Sequence, residues 1–397
     1  MKVIGTNIIS SLGFTTTENF ENAKRGISGV KNYDAGTFDL PEAFTASLID
    51  RGKLNSDFAK ISPKNNYTEL EKAVILSVFT ANQDAQIDLS SEKTIFILST
   101  TKGNVDLLDV RQTDARLLDK KNFNSQSLVS NNLKSNVYLW HTAKLAADFF
   151  GNKNTPIVVS NACISGAAAQ ITAMRELQSG NYDYAVVAGV DFLSKFIISG
   201  FQSFKALSPE LCRPFDKDRC GLNLGEAAAT IIFSRQNEAD AVCGDVLLTD
   251  AAMRNDANHI SAPSRTGEGA FLALRKVLKN NISEEIAFVN AHGTATPYND
   301  EMEAVALTRA DLNSVPTNSL KGYFGHTLGA AGVLESIISI EALKAGIALK
   351  TCGYENLGVG NQLKITRDTI SVKKNRYIKM LSGFGGCNAV LLFTKIK

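Results

Sequence analysis

The stretch SNACISGAAA, residues 160–169, follows an apolar run and leads into a segment of small residues. This pattern predicts a buried strand that turns directly into a helix. Cys163 therefore stands at the carboxyl end of a predicted strand, where α/β proteins place their sites. The start of a helix favours a thiolate, and the small neighbours Ala162, Ser165 and Gly166 leave room for a substrate. Most protein cysteines are buried and inert, but these features make Cys163 a candidate nucleophile.

The composition excludes several classes of protein. Of the 397 residues, 44% are hydrophobic and 21% are charged, and the net charge is only +2. These values are typical of a globular protein and argue against nucleic-acid binding through bulk charge. The most apolar helical stretch, 328–349, contains Glu335, Glu341 and Lys344, which favours a core helix over a membrane span.

The cysteine and histidine patterns argue against a metal site. The chain has six cysteines without a C-x-x-C pair, and four histidines. We therefore expect no zinc site and no cofactor. No segment resembles a secretory signal, so we expect a cytoplasmic protein with reduced thiols.

Strand-like and helix-like segments alternate along the chain. Strands are predicted at 93–100 and 184–190 with helices between them, which indicates a parallel sheet covered by helices. A strand running into a loop at 286–294 begins a similar series in the second half. The polar stretch 234–245 is the expected seam, which divides the chain into an N-terminal half, 1–240, and a C-terminal half, 241–397.

A short internal repeat links the two halves. The tripeptide GAA begins three residues after Cys163, at Gly166, and three residues after His326, at Gly329. Both copies lead into long amphipathic segments that end at a glycine. If the repeat marks a duplicated β-α-β unit, Cys163 and His326 lie at equivalent helix starts.

Possible partners for the thiol lie in two glycine-rich segments of the C-terminal half. NAHGTATPYND, residues 290–300, contains His292, and LKGYFGHTLGAAG, residues 320–332, contains Lys321 and His326. The GFGG turn at 383–386 interrupts a strand pattern and can bring backbone N–H groups to the thiol.

Other motifs and histidines offer no comparable site. His141 and His259 are interpreted as an ordinary helix residue and an ordinary loop residue. No P-loop and no G-x-S-x-G elbow is present, so a nucleotide or serine-hydrolase site has no support.

Together these motifs resemble the β-ketoacyl-acyl-carrier-protein synthases that carry a Cys-His-His triad. The resemblance covers almost the whole chain and rests on six segments in the family's order: VIGTNIISSLG, SNACISGAAA, RPFDKDRCGLNLGEAAA, HGTATPYND, KGYFGHTLGAAG and GFGGCNA. It implies a thiolase-like fold with two pseudo-symmetric βαβ-rich halves in a five-layer αβαβα arrangement. It also implies a two-fold dimer, because the family usually forms one.

The resemblance implies a decarboxylative Claisen condensation. The Cys163 thiolate would attack an acyl thioester delivered by acyl carrier protein, and the N–H groups of Cys163 and Phe384 would hold the oxyanion. Malonyl-carrier would then lose carbon dioxide. His292 and His326 would stabilise the resulting enolate, which would attack the acyl-cysteine.

The family analogy also gives supporting roles to other residues. Lys321 would order the histidine region electrostatically, and Phe384 would gate the acyl pocket. Thr294 and Thr296 would bind the pantetheine arm. Glu335 is assigned to the same substrate-binding residues. It would also brace the histidine region from the helix that follows His326.

An acidic carrier protein would need a basic rim at the entrance. Lys60, Lys64 and Lys205 are the candidates by position, although an ordinary solvated lysine is the commoner interpretation of each.

Three departures from the family's usual residues put the acyl pocket in question. Ser382 stands where the family often has a phenylalanine, Ala227 replaces a glycine, and Cys387 replaces a threonine. These changes favour a specialised synthase, for an aryl polyene or another polyketide-like chain, over a standard fatty-acid enzyme.

The alternatives are a thiolase and the catalytic half of a heterodimer with a non-catalytic chain-length partner. A thiolase would need a second reactive cysteine in C-x-G, whereas Cys387 is followed by Asn388 and Ala389.

Overall fold

The computed structural model describes residues 1–63, 66–108, 136–235, 246–278 and 282–396. The candidate docking residue Lys64 lies outside the described residues. So does most of the predicted seam, because positions 236–245 are not described.

The strands predicted at 93–100 and 184–190 are present, as is the one directly before Cys163. They are β1 (Lys2–Ile9), β2 (Lys31–Tyr33), β3 (Phe44–Ser47), β4 (Thr94–Ser99), β5 (Ile157–Val159), β6 (Tyr184–Asp191), β7 (Leu224–Gly225), β8 (Ala227–Ser234), β9 (Val246–Asn255), β10 (Ile286–Asn290), β11 (Thr317–Asn318), β12 (Ile347–Ala348), β13 (Ile370–Ser371), β14 (Arg376–Gly383) and β15 (Cys387–Lys395).

Four of the described α-helices begin at a side chain that caps them, namely Thr15, Asp50, Thr68 and Ser194. At the start of one of them, Thr68 and Glu71 form a reciprocal capping box. The α-helices are α1 (Thr16–Lys24), α2 (Arg51–Ile61), α3 (Glu69–Ala85), α4 (Leu139–Phe149), α5 (Ser165–Gln178), α6 (Lys195–Ser203), α7 (Glu268–Val277), α8 (Pro297–Arg309), α9 (Lys321–Phe324) and α10 (Ala331–Lys344).

The main sheet consists of two halves with the same topology. The strand orders are β5-β4-β6-β8-β1 in the first half and β11-β10-β14-β15-β9 in the second. In each half the first three strands are parallel and the last two pair antiparallel. The halves meet at β1 and β9, where Lys2 pairs with Leu247. The sheet is therefore mixed, and the prediction of a parallel sheet was wrong for one strand of each half, β8 in the first and β15 in the second.

The helices complete five layers. Helices α3 and α4 pack on the outer face of the first half, and α7 and α8 cover the second half. Helices α5 and α10 lie between the halves and contact strands of both. Separate hydrophobic clusters fill the central layer and the two outer layers. This arrangement confirms the predicted thiolase-like αβαβα fold.

The repeated GAA segments mark a close crossing of the two central helices. A Cβ atom on Gly332 would lie 2.3 Å from the backbone nitrogen of Ala167, and one on Gly166 would lie 2.8 Å from that of Val333. The helices therefore touch through their backbones near their first turns. This contact brings the segment that carries Cys163 against the segment that carries His326.

The apolar stretch 328–349 forms the buried helix α10, as predicted. Within the described ranges, no helix is long and apolar enough to cross a membrane.

We predict that Gly332→Ala destabilises the protein, because its methyl group would overlap the backbone of α5. The free energy of unfolding should fall by about 1–3 kcal/mol, measured by chemical denaturation.

Gly200→Ala in α6 is the matched control, because nothing lies within 4 Å of a Cβ placed there. This control should stabilise the helix by up to about 1 kcal/mol. Equal stability of Gly332→Ala and the unmodified protein would contradict the backbone contact.

Candidate active site

Cys163 lies in a tight turn between β5 and α5. Ala162 adopts a left-handed conformation with φ of 45°, which is strained for a residue with a side chain. The Ser165 hydroxyl donates a 2.6 Å hydrogen bond to the Ala162 carbonyl and accepts one of 2.7 Å from the Asn161 N–H. These bonds fix the turn, so Cys163 has a defined position at the start of the helix.

The GFGG turn lies against this thiol. The Phe384 N–H donates a hydrogen bond to the Cys163 sulfur. A Cβ on Gly383 would come within 3.3 Å of the Cys163 nitrogen, so a glycine allows the two segments to approach. The predicted source of backbone N–H groups is therefore next to the thiol.

His292 follows β10, and a single carboxylate holds its backbone. The two Glu303 oxygens accept hydrogen bonds of 2.7 Å each from the N–H groups of His292 and Gly293. Glu303 and Asp300 lie one turn apart at the start of α8, and both are fully buried. Sequence reasoning missed these acids, although their i, i+3 spacing after the HGT segment was a signal.

His326 is held in a loop between α9 and α10. Its N–H donates a 2.6 Å hydrogen bond to the Asn223 carbonyl, and its carbonyl accepts one of 3.0 Å from Gly225. The RPFD-to-GEAAA segment therefore supports this histidine through its backbone.

The structure brings the three predicted residues to one point. The Cys163 sulfur and a ring nitrogen of His292 and of His326 all lie within 4.8 Å of one another. The two imidazole centroids are 5.2 Å apart and the rings are nearly perpendicular, at 82°. In the described part of the chain, Nδ1 of His292 and both ring nitrogens of His326 have no hydrogen-bond partner. These nitrogens are therefore available to a bound molecule.

Burial changes the protonation expected for the triad. It raises the pKa of Cys163 to about 11, against a smaller opposite effect from Lys321. The free thiol is therefore protonated at neutral pH, which corrects the expectation of a resting thiolate. Desolvation outweighs the stabilisation of a thiolate by the helix start, because only 9% of Cys163 is exposed. Burial, and next the charge of Lys321, lower the pKa values of His292 and His326 well below the ordinary range, so both imidazoles are neutral.

A buried charge network lies behind the histidines. Lys321 and Lys379 both form ion pairs with Glu335, and all three side chains are nearly inaccessible to solvent. Burial alone would raise the pKa of Glu335, but the two lysines lower it. Glu335 does not line the cavity beside the triad. The structure thus agrees with its predicted bracing position and separates it from the residues that face a substrate.

Sequence reasoning missed Lys379. It lies inside the apolar strand segment YIKMLS, where a charged residue in a run of buried positions was the available signal.

The triad lies in a cavity of about 430 Å³. Thr294 and Thr296 line it, and their hydroxyl groups are 2.8 Å apart. At the mouth, the Phe384 ring contacts Phe201 and Phe204, with centroid distances of 6.2 and 5.6 Å. Phe384 is 39% exposed, so this aromatic cluster lies between the sulfur and solvent.

The docking candidates differ in position. Lys205 lines the cavity and is exposed, as expected for a residue at an entrance. Lys60 lies on α2, pairs with Asp57 at 2.6 Å, and does not line the cavity.

Two of the departures from the family pattern also lie close to the site. The Ser382 hydroxyl donates a 2.7 Å hydrogen bond to Asn388 and lines the cavity. The Cys387 thiol donates to the Asn161 side chain at 3.0 Å and is not part of the cavity wall. The position of Cys387 does not support a thiolase with a second catalytic thiol.

One thiol and two imidazoles are also donors that zinc accepts. The ammonium groups of Lys321 and Lys379 lower the histidine pKa values, and the same positive potential disfavours a dication. We therefore assign no metal to these residues.

The chain matches the two domains of a known protein family and resembles solved structures over its whole length. Residues 2–239 match the family described as β-ketoacyl synthase, N-terminal domain, and residues 246–355 match β-ketoacyl synthase, C-terminal domain. Among solved structures, the ishigamide ketosynthase/chain length factor superposes with a TM-score of 0.86 at 24% identity, covering 100% of this chain and 99% of that one.

Two curated relatives show similarity in sequence. The chain is 26% identical to 3-oxoacyl-[acyl-carrier-protein] synthase 2 of Vibrio cholerae, covering 99% of this chain and 98% of the relative. It is 34% identical to the mitochondrial 3-oxoacyl-[acyl-carrier-protein] synthase of Arabidopsis thaliana, covering 59% of this chain and 55% of the relative.

We predict that a small hydrophilic alkylating reagent labels Cys220 before Cys163 at neutral pH. Cys220 is exposed, whereas Cys163 is buried and has a raised pKa. Peptide mass spectrometry over a time course measures the order.

In Cys220→Ser, labelling of Cys163 should remain slow and should accelerate as pH rises towards 11. Fast labelling of Cys163 at pH 7 would contradict the raised pKa.

Proposed function

We propose that this chain, which belongs to the β-ketoacyl synthase family, is a 3-oxoacyl-[acyl-carrier-protein] synthase. It catalyses a decarboxylative Claisen condensation between an acyl group on Cys163 and malonyl-acyl carrier protein. The observation that carries this proposal is the meeting of the Cys163 sulfur with His292 and His326 within 4.8 Å in one cavity. Side chains and backbone N–H groups supply the chemistry, so the reaction needs no cofactor.

The first step is acyl transfer to Cys163. Because the resting thiol is protonated, its proton must leave as the sulfur attacks the thioester carbonyl. A neutral imidazole within 4.8 Å can accept this proton and return it to the departing carrier thiolate. The N–H groups of Cys163 and Phe384 hold the oxyanion, and Phe384 already donates to the sulfur before substrate binds.

The second step is decarboxylation and carbon–carbon bond formation. Malonyl-carrier loses carbon dioxide, and the electron pair of the broken bond forms an enolate. Neutral His292 and His326 donate hydrogen bonds to the thioester oxygen, where the negative charge develops. The enolate carbon then attacks the acyl carbonyl and releases the Cys163 thiolate, which takes a proton from water.

The surrounding residues prepare the site for these steps. Thr294 and Thr296 bind the pantetheine arm, since their hydroxyl groups line the cavity. Phe384 gates the acyl pocket as part of the exposed aromatic cluster. Lys321 and Glu335 order the histidine region from behind, as their buried ion pair allows.

The halves 1–240 and 241–397 are proposed as the two structural units, with the nucleophile in the first and both histidines in the second. The partner is an acidic acyl carrier protein, which approaches the mouth where Lys205 lies. We propose a cytoplasmic location, since all five described cysteines are unpaired, as in a reducing compartment.

A second candidate is the catalytic half of a heterodimer. The likeness to a ketosynthase/chain length factor favours it, although that likeness, at 24% identity, itself shows only the fold. Activity of the purified chain with acyl- and malonyl-carrier proteins distinguishes the cases. A self-sufficient homodimer is active alone, whereas a catalytic half is inactive until its partner is added.

The acyl group is proposed to be that of a specialised chain rather than an ordinary fatty acid. Ser382 supports this proposal, because a hydroxyl group lines the cavity where the family often has a phenyl ring.

We predict that the two half-reactions separate in two variants. Cys163→Ala should abolish condensation but retain release of carbon dioxide from malonyl-carrier, because both imidazoles remain. His326→Ala should slow release of carbon dioxide about 100-fold or more, because an N–H donor to the enolate is lost.

Radiolabelled carbon dioxide and mass spectrometry of the acyl-carrier product measure the two steps. His141→Ala is the control, since His141 lies on α4 and not in the cavity. Product formation by Cys163→Ala would exclude the nucleophile assignment.

A further inference from the structure

Lys379 is completely buried in β14, immediately behind the histidines. Its ammonium group donates hydrogen bonds of 2.5 Å to Glu335, 3.1 Å to the Ala291 carbonyl and 3.5 Å to the Asn290 carbonyl. All three of its protons therefore have acceptors. The two carbonyl groups belong to the residues directly before His292.

The backbone around His292 is held from two sides by opposite charges. On the carbonyl side, Lys379 binds the oxygens of Asn290 and Ala291. On the amide side, Glu303 accepts from the N–H groups of His292 and Gly293. This arrangement fixes the direction of the loop where the strand β10 ends, and with it the position of the imidazole.

The network contains two buried ammonium groups. Lys321 and Lys379 share one carboxylate, Glu335, where a single ion pair would suffice to neutralise it. Burying an ammonium group costs free energy unless ion pairs and hydrogen bonds satisfy it. The second buried ammonium group therefore calls for an explanation.

The other ionisable groups packed around Lys379 are few. Glu303 faces it from α8, and burial together with Asp300 raises the pKa of Glu303 to about 7. The imidazoles of His292 and His326 lie in front of Lys379. Besides burial and Lys321, its positive charge lowers the pKa of both.

We propose that Lys379 is a positioning residue for decarboxylation: it fixes the His292 loop and supplies positive charge that keeps both imidazoles as neutral N–H donors. This inference rests on the proposed condensing activity. It assigns Lys379 to the second half-reaction, because its contacts lead to His292 and not to the Cys163 turn.

The test compares Lys379→Met with Lys373→Met. Methionine keeps the length of the lysine side chain without its charge, and Lys373 is an exposed lysine that controls for the substitution itself. Two rates are measured from pH 5 to pH 7, because burial lowers the pKa of Lys379 to about 8 and the group keeps its charge below that value. They are single-turnover acylation of Cys163 by mass spectrometry, and release of carbon dioxide from malonyl-carrier.

In Lys379→Met, decarboxylation should fall about tenfold at neutral pH, whereas acylation should fall less, because His326 remains in place to accept the thiol proton. Loss of the positive charge raises the histidine pKa values, so the acidic limb of the decarboxylation profile should move to higher pH. Lys379→Gln, which keeps an N–H donor for the carbonyls, should recover part of the rate but retain the shifted limb. Lys373→Met should match the unmodified protein in both rates.

Equal losses in both half-reactions with an unmoved pH profile would overturn the proposal, because they indicate a purely structural role. The unmodified protein gives an independent check. An acidic limb with an apparent pKa near 6.5 would mean that the imidazoles are not kept neutral, which also overturns it. If the unmodified protein shows neither acylation nor decarboxylation, the proposed condensing function fails instead.

Discussion

The backbone contact between α5 and α10 is the constraint on which the site depends. The glycines Gly166 and Gly332 let the first turns of these helices approach without intervening side chains. Each helix follows the corresponding edge strand of its own half. Where the two helices cross, the ends of two equivalent β-α units therefore lie against each other. Cys163 precedes one helix and His326 precedes the other. Residues separated by 163 positions are therefore brought together by the pseudo-symmetry of the fold, without a flexible loop.

Electrostatics in this interior follow from burial more than from local dipoles. A helix start stabilises a nearby anion by roughly 0.3–1 kcal/mol at exposed sites, up to about 2 kcal/mol when partly buried. Full desolvation of a thiolate acts more strongly and in the opposite direction. The same burial keeps both imidazoles neutral. Cys163 and its two partners thus rest without net charge, and the proton released by the thiol has an acceptor at hand. On the proposed mechanism, the buried lysines place positive charge behind the developing enolate, where it costs no rearrangement during the reaction.

The sequence predicts those parts of the structure that depend on local pattern. Cys163, His292 and His326 stand at strand ends or helix starts in glycine-rich segments, and the duplicated GAA correctly indicates equivalent helices. The antiparallel strands β8 and β15 escaped prediction because apolar runs do not reveal strand direction. Lys379 was missed for a related reason. A lysine in a strand is expected at an exposed position, and the sequence alone does not show that a neighbouring strand supplies buried hydrogen-bond acceptors for it. The ionisation of Cys163 was mispredicted because desolvation depends on residues distant in sequence.

Of the three departures of this chain from the family pattern, only Ser382 lines the cavity that contains the triad. Ser382 forms a polar wall with Asn388, which in turn donates a 3.1 Å hydrogen bond to Asp256. These hydrogen bonds hold both side chains in place. The apolar surface at the mouth is the exposed contact of Phe384 with Phe201 and Phe204. On the function proposed above, the polar pair beside the sulfur and the aromatic cluster farther out are the surfaces that a bound acyl chain would meet.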